Sequence, residues 1–150
     1  MAVRVQIDDF DVNAETEKLI GGRTDIGAVV TFTGRVREGT GENRITSMTL
    51  EHYPDMTEAE MARIEAEAHA RWPLQATTLI HRVGELRPGE QIVLVIAASA
   101  HRQAAFDAAA FLMDYLKTRA PFWKKETLLN GASAWVDARE ADDGAAERWG

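Results

Sequence analysis

The chain has no cysteine among its 150 residues. Disulfides, a thiolate nucleophile, iron–sulfur ligation and thiolate zinc sites are thereby excluded. A reducing compartment is accommodated, not demanded. Basic residues are in the minority, 17 Lys and Arg against 24 Asp and Glu, for a formal net charge of −7. That balance argues against a general nucleic-acid binder, which needs a broad basic face, and against docking on anionic lipid. Long hydrophobic runs are missing too: the longest, residues 92–100, is too short to span a bilayer. The opening MAVRVQIDDF alternates and then turns acidic, so it does not read as a signal peptide, and a cytoplasmic location is expected. There is no P-loop, no G-x-G-x-x-G, no G-x-S-x-G and no H-E-x-x-H. His52, His69, His81 and His101 share no helical or hairpin pair spacing, so a metal site is not expected.

What is present describes one domain over residues 1–150, with 45% hydrophobic and 27% charged residues, at a length that can bury a real core. Alternation over 3–7 reads as a short strand, and 13–20 as a short helix closed by Gly21 and Gly22. Residues 28–36 (AVVTFTGRV) are β-branched and aromatic, a strand with Gly34 as candidate bulge. After the polar turn 38–43, residues 45–53 alternate again, and the two strands are expected to form a hairpin. Thr57 and Glu60 make a T-x-x-E capping pattern, opening a helix that Pro73 stops near Trp72. Its buried stripe is Met61, Ile64, Ala68 and Trp72, with Glu58, Glu65 and Arg71 directed elsewhere.

A strand over 75–82 follows, then a turn through Arg87, Pro88 and Gly89, then the most apolar strand, 91–98, expected to be central. Ser99 is the expected N-cap of a helix over 100–117 whose stripe is Phe106, Ala109, Ala110, Leu112, Met113 and Leu116. Short strands over 122–126 and 133–137 precede a charged tail, 138–150, of helical character. The class is α+β, with two main helices on a mixed or antiparallel sheet.

The most informative stretch is 101–125, where His101, Arg102, Lys117, Arg119, Lys124 and Lys125 outnumber Asp107 and Asp114. A cationic segment on an acidic chain is expected to bind something anionic. His101 and Arg102 open a helix, the end where the dipole and free amides favour an anion; a phosphate site explains them better than a frayed, solvated start. Lys117 stands at the other end, where the dipole alone accounts for a cation. Neighbouring cations would equally make it a usable acid, base or nucleophile, with Phe122 and Trp123 as an apolar wall for Lys124. An edge strand guarded by lysines is the plainer account of Lys124 and Lys125. Arg35 and Arg37 share one strand face and can clamp a phosphate or simply face solvent. On a continuous helix Arg102 and Lys117 lie ~22 Å apart. A small ligand cannot touch both in one subunit, so either two sites exist or one pocket is assembled from two copies of the chain.

Taken together, AVVTFTGRVR (28–37), LEHYPDMTE (50–58), IHRVGEL-x-PGE (80–90), SAHR (99–102) and MDYLKTRAPFWKKE (113–126) resemble the large, catalytic subunit of molybdopterin synthase. The resemblance implies an α/β hammerhead-type domain with an additional small antiparallel β subdomain. It implies sulfur transfer that converts cyclic pyranopterin monophosphate (precursor Z) to molybdopterin in molybdenum cofactor biosynthesis, without a bound cofactor. The sulfur comes from the C-terminal Gly-Gly thiocarboxylate of a small ubiquitin-like subunit, in a heterotetramer built on a homodimer of the large subunit. Carried over by position, Arg35, Val36, Arg37, His101, Arg102, Lys117, Lys124, Lys125 and Glu126 are the implied substrate-binding residues, with Lys117 and Lys124 catalytic. Phe32 and Met113 are candidates for lining the tunnel of the glycine tail, although plain core membership explains both more simply. Lys125 departs from the family pattern, which carries Arg there in several members. The alternatives are a non-catalytic, phosphate-ligand-binding dimeric scaffold for a ubiquitin-like partner, and a cyclic-phosphate hydrolase acting without one.

Overall fold

The computed structural model describes residues 1–136 and 140–150. Its elements are β1 (Ala2–Gln6), α1 (Val12–Ile20), β2 (Ala28–Arg35), β3 (Ile45–His52), α2 (Met56–Arg71), β4 (Leu74–Arg82), β5 (Gly84–Leu86), β6 (Gln91–Ser99), α3 (Arg102–Arg119), β7 (Phe122–Leu128), β8 (Ser133–Val136) and α4 (Glu140–Glu147). They form the expected α+β class with two sheets, ordered β1-β4-β6-β2 and β5-β3-β7-β8. The first is mixed, because β1 runs parallel to β4. The second and smaller is antiparallel throughout.

Strand alternation decides which helices cover which face. In β4 and β6 the odd-numbered Leu79, Val93, Val95 and Ala97 pack with Met61, Ile64 and Ala68 of α2 and with Phe111, Leu112, Tyr115 and Leu116 of α3. The even-numbered Ile80, Leu94 and Ile96 turn the other way, onto Phe10 and the α1 residue Leu19. With both faces covered, β6 reads as a continuous apolar run and lies inside the sheet, as expected. The smaller sheet has its own core of Val36, Ile45, Met48, Leu50 and Leu86.

Several expectations are corrected. The strands 28–36 and 45–53 do not pair as a hairpin: β2 pairs with β6, and β3 with β5 and β7. Alternation specifies one buried face but not the neighbour, and the longer apolar β6 takes β2. Beyond the bulge at Gly34 and Arg35, the Val36 N–H donates to the Glu90 carbonyl, and the chain crosses to the second sheet. Residues 84–86, given no element by the sequence, form the edge strand β5 ahead of the turn at Arg87, Pro88 and Gly89.

Thr57 and Glu60 make no capping box. Asp55, at φ +71°, caps α2 with its carbonyl, 3.0 Å from the Ala59 nitrogen. The fully buried Thr57 hydroxyl accepts from the Tyr53 N–H at 3.0 Å and donates to the Pro121 carbonyl at 2.9 Å, tying α2 to the start of β7. Glu65 is not on the solvent side but buried; it accepts from the Thr77 hydroxyl at 2.6 Å and the Ala2 N–H at 3.2 Å.

Ser99 is the last residue of β6, not a cap. Its hydroxyl donates to the Pro73 carbonyl, and α3 begins two residues later than expected, with His101 at the N-cap. Phe106 lies outside the buried stripe and is 58% exposed; the stripe is phased on Ala105, Ala108, Leu112 and Leu116. The expected strand end at Asp137 and the first tail residues, Ala138 and Arg139, lie outside the described residues.

Candidate active site

The two sheets and the end of α3 border an open cavity of about 230 Å³. Phe32, Gly34 and Arg35 of β2 form one wall, and Met113, Leu116 and Lys117 of α3 another. Phe122 and Lys124 of β7, Leu50 of β3 and Val136 of β8 close the side of the smaller sheet. His81 of β4 completes it.

Each cation arrives there for a local reason. α3 is an unbroken helix of 18 residues, and Lys117 sits in its last turn, where the macrodipole favours positive charge. Lys124 stands between Leu50 and Val136 in the sheet register, two residues after Phe122 and so on the same face. Arg35 follows the β-bulge and donates from Nη1 to the Gly89 carbonyl at 3.1 Å. The bulge needs glycine beside it: a Cβ on Gly34 would stand 2.7 Å from the Val93 Cγ1 atom. Three cations around a small, partly apolar and open hollow, two of them, Arg35 and Lys117, exposed to solvent, suit an anion.

The other candidate residues are placed elsewhere. Val36 is 3% exposed and belongs to the core of the smaller sheet. Its side chain is therefore not available to a ligand in this chain. Arg37 is exposed and is not in the cavity wall. Lys125 points to the opposite face of β7 from Lys124, and its Nζ lies 5.7 Å from the centroid of Trp135. Glu126 is half-buried opposite Met48 and Ala134, outside the cavity. His101 and Arg102 are exposed at the far end of α3, a helix length from Lys117. Phe32 and Met113 both line the cavity, Phe32 with 41% of its surface exposed and Met113 with 9%.

His81 is the residue that sequence reasoning passed over. Its signal was the parity of β4: position 81 shares the helix-facing side with Leu79. The ring is half-buried and stacked on Phe122. Burial drives its pKa down to about 4, helped by the charge of Lys117 and by His52 and opposed by the hydrogen bond to the Arg82 carbonyl.

Comparison with known proteins bears on this geometry. The model of the MoaE protein family matches residues 5–119. The chain is similar to the molybdopterin synthase catalytic subunit of Mesorhizobium japonicum, with 61% identity over 148 residues, 98% of this chain and 92% of that one. Its fold is similar to that of the molybdopterin biosynthesis MoaE protein of Burkholderia ambifaria, with TM-score 0.84 and 49% identity across 100% of this chain and 99% of the other. A more distant likeness, of fold alone, is to a chain in the complex of subunits 1 and 2 of the molybdopterin-converting factor of Helicobacter pylori (TM-score 0.73, 18% identity, 92% of this chain and 90% of that one). By sequence over nearly its whole length and by architecture, this chain belongs to the MoaE family of molybdopterin synthase catalytic subunits, enzyme subunits of molybdenum cofactor biosynthesis.

Proposed function

We propose that the chain converts cyclic pyranopterin monophosphate to molybdopterin, taking sulfur from the C-terminal thiocarboxylate of a small ubiquitin-like subunit. The observation that carries this reading is the convergence of Arg35, Lys117 and Lys124, from three separate elements, on one cavity walled by Phe32 and Met113. An anionic substrate and an anionic tail both need such a place on a chain of net charge −7. The lack of cysteine agrees with sulfur delivered by a partner.

In this reading Lys117 polarises the thiocarboxylate carbonyl or moves protons as sulfur adds to the pterin side chain. Lys124 stabilises the charge that appears as the cyclic phosphate opens. Phe32 and Met113 flank the path of the glycine tail. Arg37, His101 and Arg102 hold phosphate or pterin, the last two from a second copy of the chain, because the unbroken α3 keeps Arg102 and Lys117 ~22 Å apart at ~1.5 Å per residue. The assembly is accordingly a dimer of this chain carrying two small subunits, in the cytoplasm.

The test mixes the chain anaerobically with a thiocarboxylated partner and cyclic pyranopterin monophosphate, and measures the dithiolene pterin. Product that vanishes in Lys117→Ala supports the reading. A partner that binds without any product forming overturns it.

A further inference from the structure

The charged groups of the cavity wall are all donors. Arg35, Lys117 and Lys124 offer N–H bonds and no lone pair. The other side chains of the wall are hydrocarbon or thioether, with the single exception of His81. Its Nδ1 lies 2.8 Å from the Arg82 carbonyl oxygen. A carbonyl only accepts, so Nδ1 carries the proton and Nε2 is left with the lone pair of a neutral ring. The stack on Phe122, at 3.7 Å between centroids, fixes the plane of that ring. No hydrogen bond from a described residue reaches Nε2.

Magnitude decides what such a nitrogen can do. With its pKa held near 4, the ring carries a second proton about one time in a thousand at neutral pH, too rarely for a proton relay. It is instead a fixed, uncharged acceptor among donors. An anion alone has no use for it; a molecule that is anionic at one end and bears an N–H at the other does.

Resting on the sulfur-transfer reading above, we propose that His81 is a specificity-determining residue, its Nε2 accepting a hydrogen bond from a ring N–H of the pterin while the cations hold the phosphate. The glycine tail of the partner also carries N–H groups, but it has another place to bond. β2 is an edge strand of the first sheet, and its Phe32, Gly34 and Arg35 line the same cavity. An extended tail can satisfy its amides on that edge, whereas a heterocycle needs a side chain.

The experiment is calorimetric titration of the full chain and of two variants with cyclic pyranopterin monophosphate, inorganic phosphate and a peptide ending in Gly-Gly. His81→Phe keeps the stack and removes the acceptor; His81→Gln returns an amide oxygen close to the position of Nε2. The expected result is a pterin Kd raised about tenfold in His81→Phe, with phosphate and peptide Kd unchanged and most of the loss recovered in His81→Gln. Equal losses for pterin and phosphate, or no loss for pterin, overturn the assignment. A loss confined to the peptide overturns it by giving the acceptor to the tail. If His81→Phe loses its native circular dichroism, His81→Leu supplies the same comparison. Wild-type chain that takes phosphate and refuses the pterin overturns the sulfur-transfer reading and this assignment together. Pterin binding that is equal in wild type and variant overturns this assignment alone.

Discussion

The imidazole of His81 lies against the ring of Phe122, with centroids 3.7 Å apart and planes 18° from parallel. One ring comes from β4 of the mixed sheet and the other from the first residue of β7 in the smaller sheet. The contact therefore clasps the two sheets at the cavity. Phe122 in turn positions Lys124, two residues further along the same face. A ring that holds the sheets together is held neutral to do so, and that links acid stability to the geometry of the site.

Acid should weaken the fold in a window set by this ring. In the folded chain His81 has a pKa of about 4, against 6.5 for an ordinary imidazole. The unfolded chain thus binds more protons between those values, and stability rises with pH across them. The contribution is complete above about pH 6.5 and is lost as pH falls toward 4; a gap of that size corresponds to roughly 3 kcal/mol at most. His69, whose pKa burial also lowers, acts in the same direction. Glu65, whose pKa burial raises, opposes them above its ordinary 4.5, because there the folded chain holds the extra proton. Urea unfolding from pH 7 to pH 4 should show a steep loss in wild type and a clearly shallower one in His81→Gln. Parallel profiles would show that His81 does not govern the window.

Lys117→Ala should separate chemistry from folding. Lys117 is exposed and has no hydrogen bond or ion pair with another described residue, so its removal should change stability by no more than about 0.5 kcal/mol. Product formation should fall by roughly two to four orders of magnitude. Lys117→Arg, which keeps charge but not the compact ammonium, should recover substrate binding more than turnover. Matched melting curves and single-turnover rates check this, and a fully active alanine variant would remove Lys117 from the chemistry.

Much of this arrangement was legible in the sequence, and the failures share a cause. The apolar run of β6, the stop at Pro73 and the basic stretch near the end of α3 all follow from local composition. Lys124 and Lys125 could not be separated by charge, but strand parity sends them to opposite faces, and only Lys124 meets the cavity. His101 and Arg102 belong to the same basic stretch as Lys117, yet a continuous helix carries them away from it. The hairpin expected of β2 and β3 failed because alternation names a face and not a partner. Thr57 carries the sequence pattern of a cap, but its hydroxyl is spent on Tyr53 and Pro121, a contact across 64 residues that no local rule contains. His81 escaped notice because its meaning depends on Phe122 and Lys117, which reach it only in the folded chain.

Trp149 should anchor the last helix. Its ring meets Trp72 edge-on at 5.5 Å and Phe111 at 5.7 Å, and its indole N–H donates to Asp114 at 2.6 Å. Because the ring is only half-buried, Trp149→Ala should cost about 2–4 kcal/mol, at or below the usual range for a core aromatic. Asp114→Asn keeps the packing but weakens both the Trp149 bond and the exposed ion pair with Arg148 at 3.1 Å, so about 1 kcal/mol is expected, most of it from the Trp149 bond. Thermal unfolding gives the cost, and amide exchange over residues 140–150 should rise far more in Trp149→Ala than in Asp114→Asn. Equal exchange in the two would assign the anchoring to the hydrogen bond and not to the aromatic cluster.

The separation of Arg102 from Lys117 along one unbroken helix makes the proposed composite pocket testable by complementation. If each pocket takes Lys117 from one copy and Arg102 from its neighbour, Arg102→Ala and Lys117→Ala are each inactive alone but repair one another in mixed dimers. A mixed dimer holds one pocket with both residues intact and one with neither. Random exchange makes about half of all dimers mixed, so an equimolar mixture should regain about a quarter of wild-type activity, as two-fold symmetry dictates. The same mixture should regain nothing if both residues serve a pocket within one chain, or if Arg102 belongs to a separate site. Dissociating and reassociating the two purified variants together, then assaying against each reassociated alone, reads the difference directly. Recovery near a quarter would place the two ends of α3 in one site, which a helix of 18 residues cannot do within a single copy.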